Sequence, residues 1–411
     1  MMTSRKQNRN QGSSLHLDKE EKKRILKARK SDLTPAERRL QRKLIQGKKR
    51  KKRRVLLVVE ILILLILLAL IYVYSKLGRI NFNDVGKIQK NKLDAKTEDL
   101  LQGYTTLALF GLDNRSNGDF NTGQSDAIMV AAIDNDTKEV RIVSVYRDTL
   151  LDVTGEMNLQ KANSAYARGG AKQAMTMLNR NLDLDIQDYI AVDFNALVEA
   201  VDAVGGVNVD VTQEEVDIIK KKGYAGEVAY VTGHMDEDQP ITPGTNVHLN
   251  GVQATAWCRI RYTSSMDFGR ANRQRIVVEK LIEKAKAASP TQLNKLVTNV
   301  FPDISTSLSA GQLTQLAMAI QSYSLKGQTG FPFALQTTNL GKIGSVDVPC
   351  TLSSNVKALY EYLYQKTDYT PTSTVNEISQ KIQTLSGFDE SDALDYGYGT
   401  ELKEDEGSSV K

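Results

Sequence analysis

The chain is expected to fold as an α/β domain, with helices on both faces of a central sheet, behind a single membrane-spanning helix. Three observations predict this. Strand-length apolar segments alternate with helical ones from about residue 105 to 288. The strand-like segments are apolar at nearly every position, as in a sheet covered on both faces. Residues 55–75, VLLVVEILILLILLALIYVYS, form an almost unbroken apolar run behind a dense basic block.

Charge divides the chain first. Residues 1–54 hold 21 Lys and Arg against 5 Asp and Glu, and the remainder holds 33 against 44, so the net +5 describes neither part. Beside a membrane span, the basic arm 1–54 is expected to lie on anionic lipid headgroups; nucleic acid is not the expected partner. Its segment around 17–46 reads as helix in places, broken near Pro35. The run 55–75 is long enough to cross a bilayer as a helix, shows no polar face, and carries one charge, Glu60, near its inner end. KKRKKRR at 48–54 should keep the N-terminus in the cytoplasm, with Tyr72 and Tyr74 at the outer interface. The long basic preamble and the lack of an A-x-A site argue against a cleaved signal peptide. Everything after residue 76 is then extracytoplasmic.

Residues 76–100 are polar and lysine-rich and read as a stalk. TTLALFGLD (105–113), DAIMVAAID (126–134) and VRIVSVYRD (140–148) read as three strands, the last two joined by the polar turn NDTKE. A helix is expected at about 162–181, weakened at Gly169-Gly170. YIAVDF (189–194) is a strand, ALVEAVDAVGG a glycine-ended helix, and VNVDV (207–211) a strand. Residues 221–248, with Pro240 and Pro243, look loop-rich. Asn250 can cap a short helix to about Trp257, RIRY reads as extended, and 269–288 is a helix that Pro290 stops. Residues 291–365 continue as mixed helix and strand. The segment 366–411 reads as a tail; Asp389 to Glu406 carries eight acids and one lysine and is expected to be disordered.

Several chemistries are excluded. Cys258 and Cys350 are too few for a disulfide framework, and no C-x-x-C exists; they read as small apolar residues rather than as a bridge. His234 and His248 have no zinc-type spacing and read as loop residues, and His16 belongs to the basic arm. No G-x-S-x-G, P-loop or H-E-x-x-H is present. What remains is a set of carboxylates and arginines at element ends. Asp113 closes the first strand and Asp126 opens the second; two carboxylates brought together by that hairpin suit a hard cation such as Mg²⁺, or are simply turn residues. Arg147 ends the third strand. Arg259 and Arg261 would point the same way if RIRY is extended. Arg270, Arg273 and Gln274 share a helix face, with Arg270 in the first turn, where an anion is favoured. Guanidinium groups clustered on an acidic ectodomain suit a polyanion such as a pyrophosphate, or are solvated and paired with surface acids.

GLDNR (111–115), SDAIMV (125–130), SVYRDTLLDV (144–153), KANSAYARGG (161–170), DYIAVDFNALVEAVDAVGGVNVDV (188–211), LNGVQATAWCRIRY (249–262) and DFGRANRQR (267–275) occur in this order. Together these segments resemble the LytR-CpsA-Psr family of cell-wall enzymes. The resemblance implies a three-layer α/β/α sandwich with a central mixed sheet over 101–365, and an apolar pocket for a polyprenyl chain. It implies an extracytoplasmic phosphotransferase anchored in a Gram-positive cell membrane. Such a protein passes an anionic glycopolymer (teichoic acid, capsular polysaccharide or similar) from undecaprenyl pyrophosphate to peptidoglycan through a phosphodiester. By position, Asp113 and Asp126 match metal carboxylates for Mg²⁺, with Mn²⁺ as the alternative. Arg115, Arg147, Arg259, Arg261, Arg270 and Gln274 match pyrophosphate-binding residues. Arg147, Arg261 and Asp267 are the expected catalytic group, Asp267 orienting an arginine. Gln124 departs from the arginine common in relatives, and Cys258 stands where a small residue is usual. The alternatives are a polyprenyl-pyrophosphate hydrolase, a transcriptional attenuator acting through the basic arm, and a non-catalytic wall-binding module.

Overall fold

The computed structural model describes residues 19–46, 49, 80–113, 120, 123–263 and 266–396. The chain divides into two compact units, Met1–Ser75 and Lys76–Lys411. Among the described residues no helix is long and apolar enough to cross a membrane, and the span expected at 55–75 lies outside them.

In the first unit, α1 (Lys19–Lys27) is followed by a 3₁₀ turn, Lys30–Asp32, and by helix over 35–46. Pro35 breaks the helical run as expected, and it does so as the first residue of the second helix. Thr34 caps that helix: Glu37 N–H donates to its Oγ1 at 3.3 Å, and Thr34 N–H donates to Glu37 Oε2 at 2.9 Å.

The second unit is built on a seven-stranded mixed sheet. Its strands are β1 (Asn81–Phe82), β2 (Tyr104–Leu112), β3 (Ser125–Asp134), β4 (Glu139–Val145), β5 (Asp188–Val192), β6 (Ile304–Thr306) and β7 (Ser324–Phe331), and their spatial order is β1-β6-β5-β2-β3-β4-β7. β2, β3 and β4 are successive antiparallel neighbours, whereas β5 joins β2 and β7 joins β4 in parallel. The ends of β2 and β4 and the start of β3 therefore lie at one edge of the sheet, which brings Asp113, Asp126 and Arg147 to the same rim.

The helices are α2 (Ala95–Gln102), α3 (Ser164–Leu182), α4 (Phe194–Ala203), α5 (Gln213–Lys222), α6 (Tyr224–Thr232), α7 (Gly251–Trp257), α8 (Met266–Ala287), α9 (Pro290–Lys295), α10 (Ala310–Met318), α11 (Leu352–Tyr364) and α12 (Ser373–Ser386). They cover both faces, which is why the strands carry apolar residues at successive positions. On one face Ala108, Phe110, Ile128, Val130 and Val143 pack with α3, α11 and α12. On the other, Leu109, Met129, Ala131 and Ile142 meet Val278 and Ile282 of α8, and Leu107 and Ile133 lie with Leu313 and Leu316 of α10. A second core, under α4 to α7, gathers Val198, Val201, Val228, Val252 and Trp257.

Five expectations are corrected. Residues 80–100 are not a stalk: Ile80, Ile88 and Leu93 are buried, and β1 pairs with β6. Apolar anchors five to eight residues apart are hidden among lysines, and Lys90 itself pairs with Asp185 at 2.6 Å. The domain does not stop at 365. Val375, Ile378 and Ile382 of α12 are fully buried, and Tyr369 stacks on Tyr360 with ring centroids 3.4 Å apart. The buried Asp183 carboxylate accepts from Asn91 at 2.6 Å, Tyr369 Oη at 2.8 Å and Thr372 Oγ1 at 2.7 Å, so one group ties both ends of the domain together. Residues 221–248 contain α6 and the strand Gly244–Leu249, which pairs with Val207–Val211. RIRY is not extended: Arg259 N–H and Ile260 N–H donate back to Ala256 and Trp257 in turns that continue from α7. Finally α8 begins at Met266, which moves Arg270 out of its first turn.

Other expectations hold. Asn250 caps α7 through a capping box, and Gly169 and Gly170 leave helical geometry and kink α3. Cys258 and Cys350 are buried and unbridged.

Candidate active site

A cavity of about 490 Å³ opens between the sheet, α4 and α8. Leu109, Met129, Ile190, Leu197, Val278 and Leu281 are among its apolar lining residues. Its polar lining includes Asp113, Asp126, Arg259, Arg261, Arg270 and Gln274, together with Glu227. The lining thus combines apolar side chains with a group of charged ones.

Asp126 is the hub. Arg147 Nη1 donates to its Oδ1 at 2.6 Å and Arg261 Nη2 to its Oδ2 at 2.7 Å. Arg270 approaches the same oxygen at 3.5 Å and also donates to the Asp126 backbone carbonyl at 3.2 Å. Burial of the carboxyl opposes ionisation, but the charges of Arg270, Arg147 and Arg261 outweigh it and hold the pKa below the usual carboxylate value. Asp267 is a second brace. It lies in the first turn of α8, where a carboxylate is favoured by the helix dipole, and pairs with Arg270 at 2.9 Å. Arg147 and Arg261 reach it at 4.0 and 3.9 Å. Behind Arg147 stands Asp148, which Lys161 holds at 3.0 Å.

Arg259 and Arg261 share the cavity without sharing partners. Arg259 lies over the rings of Phe194 and Tyr224, at 4.7 and 5.2 Å, and bonds Glu227 at 3.0 Å. Its role as a lining cation therefore depends on α6, a helix within the stretch 221–248 that reads as loop-rich. Gln274 lines the cavity and is 3.5 Å from the Cys258 carbonyl. Asp113 lines it too, and its backbone N–H closes the β2–β3 hairpin on Gln124 O at 3.3 Å. The Gln124 side chain accepts from Asn163 at 3.2 Å, so this position contributes a tether in place of a cation. Arg273, one turn from Arg270, points elsewhere and pairs with Glu215 at 3.0 Å. Arg115 lies outside the described residues.

Two participants were missed by sequence reasoning. Glu227 fixes Arg259, and Asp347 sits behind Asp148. Burial, reinforced by the charges of Asp267 and Asp148, pushes the Asp347 carboxyl up to about 8. No local pattern could have linked Asp347 to residues two hundred positions away. Cys258 is buried, and burial pushes its thiol up to about 12, away from the thiolate form that a nucleophile needs.

The α/β scaffold thus sets an apolar-lined cavity beside a guanidinium cluster at one rim of the sheet. The LytR_cpsA_psr family model matches residues 70–330, and the chain belongs to that family. Among curated relatives, the polyisoprenyl-teichoic acid–peptidoglycan teichoic acid transferase TagU of Enterococcus faecalis is 29% identical over 219 residues, covering 53% of this chain and 66% of its own length. The polyisoprenyl-teichoic acid–peptidoglycan teichoic acid transferase TagV of Bacillus subtilis is 24% identical over 302 residues, covering 72% of this chain and 73% of its own. The crystal structure of protein gbs0355 from Streptococcus agalactiae matches with a TM-score of 0.54 at 23% identity, over 69% of this chain and 93% of that one, a likeness of fold.

Proposed function

We propose that this protein is a membrane-anchored phosphotransferase that moves an anionic glycopolymer from an undecaprenyl-pyrophosphate carrier to peptidoglycan. The observation that carries this reading is the convergence of Arg147, Arg261 and Arg270 on Asp126 beside the apolar cavity. The names of the relatives support the same chemistry. The polyprenyl chain enters the greasy part, and the pyrophosphate meets the arginines. The 55–75 run anchors the protein in the cell membrane, with residues 1–54 in the cytoplasm and the catalytic domain outside.

The reaction needs positioning and charge neutralisation more than a covalent nucleophile. A sugar hydroxyl oxygen of peptidoglycan attacks the sugar-proximal phosphorus. The new P–O bond forms as the phosphoanhydride bond breaks, undecaprenyl phosphate departs, and the hydroxyl proton is released. Arg147, Arg261 and Arg270 bind the phosphate oxygens and stabilise the charge that develops as the anhydride opens. Asp267 and Asp126 orient those guanidinium planes. Two carboxylates completed by substrate phosphate oxygens are a donor set that Mg²⁺ accepts, and Asp113 and Asp126 face one cavity. Mn²⁺ takes the same oxygen ligands. A cation held there would neutralise phosphate charge as a Lewis acid.

The test is ligation by the purified full chain with a lipid-linked donor and peptidoglycan fragments. Arg147→Ala and Arg261→Ala are each expected to lower the rate roughly 100-fold or more, with unchanged circular dichroism. Full activity in both would overturn the assignment. Release of undecaprenyl phosphate at the same rate without acceptor would favour the hydrolase instead.

A further inference from the structure

We propose that Asp202, His234 and Glu237 form a divalent transition-metal site, best suited to Zn²⁺, separate from the Asp113–Asp126 pair and independent of the ligase reading. One ligand atom from each of the three lies within 4.8 Å of the others. The residues come from three places: the end of α4, the turn after α6, and the 3₁₀ turn Met235–Glu237. The packed core under α4 to α7 fixes these elements relative to one another.

The oxygens are arranged as ligands. Asp202 Oδ1 accepts from Gly251 N–H at 2.7 Å, and the Glu237 backbone carbonyl accepts from Asn250 Nδ2 at 3.0 Å. Asp202 Oδ2 and Glu237 Oε2 are both shielded from solvent, and neither receives a hydrogen bond. Two acceptor-only groups held together without a donor call for a proton or a cation between them.

His234 adds a nitrogen ligand to the two carboxylates. Its Nδ1 is 3.2 Å from Glu237 Oε1, and its Nε2 is 3.4 Å from Glu199 Oε1. Glu199 stands three residues before Asp202 on α4. With Nε2–H donating to Glu199, the lone pair of Nδ1 faces the carboxylates. Metal-bound histidines are held in this way, the far nitrogen donating to a carboxylate. One imidazole and two carboxylates, with solvent as a fourth ligand, are a Zn²⁺ donor set. An ion there would tie α4 to the turn after α6. α4 lines the cavity through Leu197 and Ala200, and α6 carries Glu227, the partner of Arg259. Occupancy would thus stiffen one wall of the cavity.

The test uses the full chain, stripped by chelator and titrated with Zn²⁺ by calorimetry, with metal content read by mass spectrometry. One equivalent is expected in the wild type and in Asp113→Asn. Glu199→Gln is expected to weaken it about 10–100-fold, as loss of an outer hydrogen-bond partner does, and His234→Ala and Glu237→Gln by more than that. Should His234→Ala misfold by circular dichroism, the isosteric Glu237→Gln decides. No uptake by the wild type, uptake lost in Asp113→Asn, or unaltered uptake in Glu237→Gln would overturn the proposal.

Discussion

Arg270 and Arg273 stand three residues apart on α8 and have different employments. Arg270 serves the anion site. Arg273 is a fastening: its Nη1 meets buried Glu215 at 3.0 Å and its Nη2 the Ile260 carbonyl at 2.6 Å. Removing it would strand a buried charge, so Arg273→Ala is expected to cost about 3–5 kcal/mol in a urea unfolding experiment. A loss below 1 kcal/mol would mean that Glu215 finds water. Asp347 gives a pH signature. Its folded pKa of about 8 lies above its ordinary 3.8, so folding favours the neutral acid. Its contribution is complete below the ordinary value and declines as pH climbs through the window up to about 8. Asp347→Asn should flatten that decline, and parallel melting curves for variant and wild type from pH 5 to 8 would contradict the assignment. Asp126 has the opposite sign. Its lowered pKa stabilises the fold above the ordinary carboxylate range, and that stability is lost as pH falls through the folded value.

At the scale of elements, α4 and α7 cross closely at Gly251. A Cβ there would lie 2.3 Å from the Val198 carbonyl oxygen and 2.4 Å from Asp202 Oδ2. Gly251→Ala should therefore cost about 1–3 kcal/mol by overpacking, read as a lowered melting temperature. Much at this scale was legible. β2, β3 and β4 announce themselves because a sheet covered on both faces needs continuous apolar sequence, and Asn250 with Gln253 spells out a capping box. RIRY was misread because alternation of charge with apolar residues imitates a strand, whereas α7 merely unwinds through turns there. α6 was hidden between Gly223 and Gly233, both left-handed, which look like loop punctuation in one dimension. The carboxylates and most arginines of the cavity could be read from motif order. Their pairing could not, since Arg147, Arg261 and Arg270 reach Asp126 across 21, 135 and 144 residues.

The whole second unit depends on its last helix. Val375, Ile378 and Ile382 are each fully buried, and such side chains contribute about 1.5–3 kcal/mol apiece. Truncation after Gln365 is thus expected to remove much of the roughly 5–15 kcal/mol that holds a domain. The measurement is limited proteolysis, in which the truncated chain should be degraded under conditions that leave the full chain intact. The boundaries at 100 and 365 were misplaced because charged residues crowd 76–100, and serines and threonines outnumber the apolar residues over 366–388, while the few apolar anchors of each stretch carry the packing. The central sheet carries a further consequence, through the pairing of β5 with β6 across more than a hundred residues. A ribosome delivers β5 long before β6, and α12 later still. The nascent chain must wait with an open strand edge and an uncovered apolar face, which are what holding chaperones recognise and what aggregates form on. Pairings this distant in sequence are expected to slow folding, wherever the domain folds.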